Sequence, residues 1–149
     1  MNNNPYIEEP FKNDYRIGIA IATHNSDKVI GHCLSSLKDQ KFKVVIFDDA
    51  STDKTLDIAK AIIPDLVVLN GDGFKWWGGG TARAVDKCFS IGCDFVLMLN
   101  PDTIINGEDI RYMADYTFKN SSLITTGLVV KNDNKEKLVW GGSMRIKIM

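Results

Sequence analysis

The sequence predicts an α/β fold, a doubly wound and mainly parallel sheet with helices on both faces. Three observations lead there. Short apolar, β-prone runs alternate with helical patterns of about ten to fifteen residues. Two of those runs, Val44-Val45-Ile46-Phe47 and Phe95-Val96-Leu97-Met98-Leu99, stop abruptly at Asp48-Asp49 and at Asn100-Pro101-Asp102. A third, Ile17-Gly18-Ile19-Ala20-Ile21-Ala22, ends in Thr23-His24-Asn25. Ligands of open parallel sheets bind just outside the carboxyl ends of the strands, so these three polar ends mark a candidate site.

The elements follow in order. Residues 1–15 carry Pro5, Pro10 and a run of asparagines without periodicity, and read as a flexible arm before a folded part at 16–149. After the first strand, Ser26 is placed to cap a helix whose inner face is Val29, Ile30, Cys33, Leu34 and Leu37. A strand at 42–48 leads to Ser51 or Asp53, which opens a helix with Leu56, Ala59, Ile62 and Ile63 inward and Pro64 at its end. Leu66 to Leu69 is a third strand. The glycine-rich stretch Asn70 to Gly80 reads as a loop, and Ala82, Val85, Cys88 and Phe89 as the face of the helix beyond it. A strand over 94–99 precedes a helix at 107–119 with Ile110, Met113, Ala114 and Tyr116 or Thr117 inward; two more strands are expected at 123–130 and 137–140.

With 149 residues the chain has room for one domain with its own core. Its 18 basic and 19 acidic residues leave a net charge of -1, without the basic field that drives nucleic-acid binding, so no nucleic-acid partner is expected. Cys33, Cys88 and Cys93 form neither a C-x-x-C pair nor a Cys/His ligand spacing and read as buried free thiols. No apolar run reaches the eighteen or more residues of a membrane span, and the polar start is not a signal peptide. No transmembrane segment is expected, and the expected location is cytoplasmic or peripheral at the inner face of the membrane.

The strand ends carry the chemistry. An ionised carboxylate only accepts hydrogen bonds, so Asp48 or Asp49 suits a partner with an imide N–H such as N3 of uracil or thymine, and not the matching edge of cytosine. Aspartate also caps helices and starts turns, and on the residues alone both readings stay open. Asp102, after Asn100-Pro101, could hold a hard divalent cation that leaves room for substrate phosphates, or cap a turn. Two like unit charges about 5 Å apart repel by roughly 0.8 kcal/mol in water and about 3 kcal/mol at an effective dielectric near 20, so a diphosphate among these carboxylates calls for Mg²⁺ or Mn²⁺. Gly71-Asp72-Gly73-Phe74-Lys75-Trp76 lacks the third glycine of a dinucleotide loop, and no Gly-Lys-Ser/Thr follows. Trp76 and Trp77 could wall a sugar or base pocket or pack in the core. Arg83 could reach a phosphate or form an exposed ion pair. His24 could line a base pocket; His32 reads as a surface or helix-packing residue.

Four segments, Ile19 to Asn25, Ile46 to Thr55, Trp76-Trp77-Gly78-Gly79 and Leu97 to Thr103, together resemble the family 2 glycosyltransferases, and in particular the rhamnosyltransferase-like members. The likeness is ordered and covers most of residues 16–142. It implies a GT-A (Rossmann-like) three-layer fold and a nucleotide-diphosphosugar donor of UDP or dTDP type. It also implies inverting, hexosyltransferase-like transfer to a saccharide or lipid-linked acceptor in polysaccharide biosynthesis, assisted by Mg²⁺ or Mn²⁺. By position it puts Thr23 and His24 in the nucleoside pocket, gives Asp49 the pyrimidine N3–H, and counts Asn25 and Asp48 among the nucleotide-sugar-binding residues. Trp77, Gly78, Gly79 and Arg83 join the nucleotide-sugar site. Asn100 replaces the first aspartate of the family's Asp-x-Asp motif and would bond a ribose hydroxyl, and Asp102 would be the metal ligand. The family's catalytic base lies in a later, acceptor-binding half, and Asp133 and Glu136 sit in a polar turn instead. The expectation is therefore a donor-binding part that lacks the acceptor half. Two alternatives are a receiver-type Mg²⁺-binding signalling domain, whose acidic pair should follow the first strand, and a catalytically silent nucleotide-binding module.

Overall fold

A computed structural model describes residues 14–120, 124, 125, 127, 129, 130 and 138–140. They fall in two compact units, Tyr15–Gly107 and a second that contains the residues from Glu108 onward.

The first unit holds β1 (Ile17–Thr23), α1 (Ile30–Leu37), β2 (Lys43–Asp48), α2 (Thr55–Ile62), β3 (Val67–Asn70), α3 (Trp76–Ser90) and β4 (Phe95–Met98). The four strands form one parallel sheet in the order β3-β2-β1-β4. All seven residues of β1 are buried, as expected of a central strand covered on both faces, which is why it reads as an unbroken apolar run. Ile19, Ile21, Val45 and Ile46 are wholly buried, each contributing about 1.5–3 kcal/mol of transfer free energy.

From β1 the chain winds outward through β2 to β3, then returns along α3 to place β4 on the far side of β1. The strand order therefore reverses between β1 and β4, the position at which an open α/β sheet leaves a crevice at its carboxyl edge. Register puts Thr23 opposite Asp48 and Asp48 opposite Asn70, so three polar strand ends stand in one row. The face carrying Ala20, Val45 and Phe47 packs on Ala84 and Cys88 of α3. That approach is close enough to require glycine: a Cβ on Gly80 would come within 2.7 Å of Phe47 Cδ1 and 3.2 Å of Ala22 Cβ.

In the second unit α4 (Gly107–Lys119) buries Ile110 and Ala114, and β5 (Val129–Val130) pairs antiparallel with β6 (Leu138–Trp140). No helix among the described residues is long and apolar enough to cross a membrane.

Several local expectations need correction. The hydroxyl of Ser26 does not cap α1; its backbone carbonyl accepts from Val29 and Ile30 at 3.0 and 2.9 Å, and Val29 is exposed. Gly78, Gly79 and Gly80 lie in the first turns of α3 and not in a loop, and the buried face of that helix is Gly80, Thr81, Ala84 and Cys88, leaving Ala82 and Phe89 in solvent. Tyr116 of α4 is exposed, and Thr117 is the half-buried member of that pair. The three cysteines are buried, as expected, and His32 is exposed. Residues 1–13 and the turn at 131–137 lie outside the described residues.

Candidate functional site

The carboxyl edge of the sheet carries one continuous hydrogen-bonded network. It starts where β2 ends. Asp48 and Asp49 are both buried, at 4% and 6% exposure. Oδ2 of Asp48 accepts from the Ser51 N–H at 3.0 Å and turns the chain toward α2. The Asp49 N–H donates to the Thr23 carbonyl at 2.8 Å, carrying the β1–β2 ladder one residue past the strands.

The side chain of Asp49 points at the start of α3. Its Oδ1 accepts from the Gly73 N–H at 2.9 Å, and its Oδ2 accepts from the N–H groups of Lys75 and Trp76 at 2.9 and 2.8 Å. A distant carboxylate thus satisfies donors that a helix N-terminus otherwise leaves open, and Lys75, the residue before α3, makes no side-chain cap. Gly71 lies directly against this carboxylate, and a Cβ there would strike it and come within 2.7 Å of Phe47.

Trp76 takes φ 53°, in the left-handed region, which costs a residue with a Cβ roughly 1–2 kcal/mol. The Asp49 carboxylate holds the N–H groups of Lys75 and Trp76, which fixes the backbone on the N-terminal side of this residue. Neither tryptophan packs in the core: Trp76 is 77% and Trp77 59% exposed. The indole N–H of Trp77 donates to Oδ1 of Asn100 at 2.8 Å, which ties α3 to the end of β4. The backbone N–H groups of Trp77 and Gly78 have no partner among the described residues, and an added Cβ at Gly78 would meet nothing within 4 Å.

His24 and Asn25 complete the edge. Nδ1 of His24 lies 2.7 Å from the Asp49 carbonyl, which can only accept, so Nδ1 carries the proton and Nε2 accepts from Nδ2 of Asn25 at 2.9 Å. Oδ1 of Asn25 in turn accepts from the Thr52 N–H at 2.8 Å, with Asn25 at φ 47°, a conformation asparagine tolerates. Oγ1 of Thr23 and Oδ1 of Asp48, neighbours in the ladder, are buried without a partner. Leaving a buried polar atom unsatisfied costs about 1–3 kcal/mol, a cost that stability alone does not explain.

Asp102 is exposed beyond the end of β4, and its carboxylate makes no hydrogen bond or ion pair with the described residues. Among those residues no group of three or more His, Cys, Asp or Glu side chains could hold a metal ion. One free carboxylate fits the way Mg²⁺ is commonly held, by one or two carboxylates with substrate phosphates and water filling the other positions. Beneath it the Cys33 thiol lies 3.6 Å from the Asn100 carbonyl, and its pKa is pushed up to about 12, first by burial and then by the Asp102 charge. Arg83 stands apart from the network. It lines a cleft of about 510 Å³ with Leu69, Asn70, Asp86 and Lys87, along the outer edge of β3.

The structure therefore brings Thr23, His24, Asn25, Asp48, Asp49, Trp77 and Asn100 together, with Gly78 and Gly79 in the adjoining helical turn, and leaves Arg83 outside. Lys75, Gly73 and Trp76 belong to the network through their backbone N–H groups, which side-chain chemistry read from the sequence does not reveal.

The profile described as "Glycosyl transferase family 2" covers residues 18–148. The chain belongs to that family. Membership removes the receiver-type reading, which the Thr23-His24-Asn25 end of β1 already fitted poorly. The family 2 chain is 29% identical over 120 residues to a poly(ribitol-phosphate) beta-glucosyltransferase of Bacillus spizizenii, covering 75% of this chain and 19% of that one. It is 32% identical over 113 residues to the poly(ribitol-phosphate) beta-N-acetylglucosaminyltransferase TarS of Staphylococcus aureus, covering 72% and 20%. The chain thus spans about a fifth of the length of the curated relatives it matches. In structure it is similar to S. aureus TarS 1–349 in complex with UDP, with a TM-score of 0.62, 26% identity, and 80% of this chain and 37% of that one covered. Glucosyl-3-phosphoglycerate synthase of Mycobacterium tuberculosis shares the fold at a TM-score of 0.54 and 17% identity, covering 74% and 43%. The family 2 unit accordingly has the GT-A fold that the four sequence segments imply.

Proposed function

We propose that this chain binds the nucleotide diphosphate of a UDP- or dTDP-sugar at the β1/β4 switch point, as the donor-binding part of a glycosyltransferase. The observation that carries the reading is the first turn of α3, where the N–H groups of Trp77 and Gly78 stand without partners beside Asn100. A helix N-terminus with open N–H groups is an anion site, and a diphosphate is the anion the family's donors carry. Thr23, His24, Asn25 and Asp48 would line the nucleoside side, with the orphaned Thr23 Oγ1 and Asp48 Oδ1 close behind it. Asp49 stands next to them with both carboxylate oxygens already engaged. Gly79 would let the phosphates approach the helix backbone, and Asn100 would bond a ribose hydroxyl with its remaining amide capacity.

Asp102 would hold Mg²⁺ or Mn²⁺ together with the phosphates. Bound there, the cation would offset the charge of the diphosphate leaving group. The chain's own residues fix the nucleotide and keep the sugar at the open rim beside the exposed tryptophans. Transfer with inversion also needs a base within about 2.6–3.2 Å of the acceptor hydroxyl. We place that base outside the donor-binding unit and the acceptor among saccharides or lipid-linked saccharides. The UDP bound by TarS supports the uridine choice; the glucosyl and N-acetylglucosaminyl relatives differ in sugar, so the proposal stays with a hexosyl donor.

Calorimetric titration with UDP, dTDP and CDP in Mn²⁺ tests the reading. UDP or dTDP should bind more tightly than CDP, by about 1.5–3 kcal/mol if one charge-assisted hydrogen bond decides between the bases. Absence of binding by all three would refute it.

A further inference from the structure

We propose that Phe74 and Trp76 form a saccharide platform at the rim of the nucleotide site, on which a pyranose ring stacks its apolar face. The place of that sugar beside the diphosphate rests on the nucleotide-binding reading; the platform itself rests on the loop before α3. Phe74 and Trp76 are the most exposed large apolar side chains among the described residues, at 78% and 77%. Neither ring makes a hydrogen bond or a ring contact with those residues. Yet the loop that carries them is firmly held. Asp72 accepts from the Phe74 N–H at 3.2 Å and from the Lys75 ammonium at 3.0 Å, and Asp49 accepts from the Lys75 and Trp76 N–H groups at 2.9 and 2.8 Å. Two carboxylates thus fix a short loop whose two largest side chains stand in solvent, and exposed apolar surface at the mouth of a site marks a place where something binds.

Trp76 adds a second observation. Its φ of 53° is one that glycine takes freely and that a residue with a Cβ takes only at a cost. The fold makes no use of the ring in return, and backbone strain of this kind gathers where ligands are held. Trp77 and Gly78, with their open N–H groups, follow it directly in the chain. The chemistry of the rim selects a neutral ring. Lys75, the cation of this loop, is already paired with Asp72, which leaves the loop without a free positive charge for an anionic lipid surface. A pyranose offers apolar C–H faces to the aromatic rings and hydroxyls to the indole N–H of Trp76, which has no partner among the described residues. The hexosyl group of a donor and a sugar of the acceptor both carry that chemistry.

The test uses Phe74→Ser and Trp76→Gly in the full chain, titrated with UDP, with UDP-glucose and, in the presence of UDP, with cellotetraose and chitotetraose. Both side chains are exposed and glycine takes positive φ without strain, so both variants should fold with urea midpoints no lower than the parent's. Affinity for UDP should stay at the parent's value. Affinity for UDP-glucose or for one of the tetrasaccharides should fall about fivefold in each variant, the order expected of one aromatic contact. In the parent the indole N–H resonance of Trp76 should move with the same ligand. Loss confined to UDP-glucose assigns the platform to the donor's sugar, and loss confined to a tetrasaccharide assigns it to the acceptor's. Unchanged affinity for every sugar-bearing ligand would overturn the proposal. Equal weakening of UDP and UDP-glucose would overturn it too, because the rings would then serve the nucleotide, and so would urea midpoints below the parent's, which would make the rings part of the fold. If the parent binds no UDP, the nucleotide-binding reading fails by itself, and the tetrasaccharides decide the platform: a shifted Trp76 resonance supports it, and an unmoved one refutes it.

Discussion

The indole of Trp77, at the start of α3, donates to the side-chain oxygen of Asn100 at the end of β4 across 2.8 Å, bridging the two banks of the crevice where the strand order reverses. Trp77→Phe keeps the ring and removes only this donor. It should weaken UDP binding by about 0.5–1.5 kcal/mol, the net value of one neutral hydrogen bond, with the melting curve nearly unchanged. Calorimetry beside a thermal melt separates this from a general loss of stability. UDP affinity equal to that of the parent would show that the bridge does not shape the site.

Gly80 decides how closely α3 can sit on the sheet, since a Cβ there meets Phe47 at 2.7 Å and Ala22 at 3.2 Å. Gly80→Ala should improve helix propensity yet destabilise the fold by about 1–3 kcal/mol through overpacking. Urea denaturation would measure it. A variant as stable as the parent would mean that the helix moves away without cost.

The apolar strands and their polar ends were legible in the sequence because a buried parallel strand is apolar throughout and its exit is not. The start of α3 was not legible, for two physical reasons. Three glycines are poor helix formers, so Gly78 to Gly80 read as a loop, whereas contact between α3 and Phe47 demands a small residue at Gly80. The cap of that helix comes from Asp49, 24 to 27 residues earlier, and is received by backbone N–H groups that carry no signature of their own. On the residues alone Asp49 left both readings open, base partner and cap, and its three bonds to the start of α3 give it a capping role. Arg83 lines a cleft with Phe47, Leu69 and Asn70, the last of which stands opposite Asp48 at the end of β3. Ser26 read as a side-chain cap, yet its carbonyl makes the first turn and leaves the hydroxyl on the His24 carbonyl at 3.3 Å.

Asp102 should carry whatever metal dependence nucleotide binding has. In Asp102→Ala, UDP affinity measured in Mn²⁺ should fall to the value measured in EDTA, while the urea midpoint stays where it is, because the carboxylate supports no bond among the described residues. A variant that still binds UDP more tightly in Mn²⁺ would assign the cation to other ligands.

Cys33 and Cys88 have pKa values pushed up to about 12, chiefly by burial, so roughly one thiol in ten thousand is ionised at pH 8 in the folded chain. Iodoacetamide should therefore alkylate them slowly until the protein unfolds. The unfolded thiols ionise near their ordinary value of about 8.5 and the folded ones higher, so this contribution to stability is complete below about pH 8.5 and is lost as the pH rises toward 12. Urea midpoints at pH 7.5, 9 and 10.5 should decline in that order. Rapid alkylation of Cys33 in the native chain at pH 8 would contradict the burial on which this rests.

The central claim is that the nucleotide occupies the edge built by the ends of β1, β2 and β4 with the start of α3. Backbone amide shifts of the isotopically labelled chain, followed during titration with UDP and Mg²⁺, address it residue by residue. The predicted result is that Trp77 and Gly78 shift most, with Thr23 to Asn25, Asp48 to Ser51 and Asn100 to Asp102 following, while Asp86, Lys87 and Ser90 along the β3 cleft stay in place. Shifts centred on that cleft, or none at saturating UDP, would contradict the account.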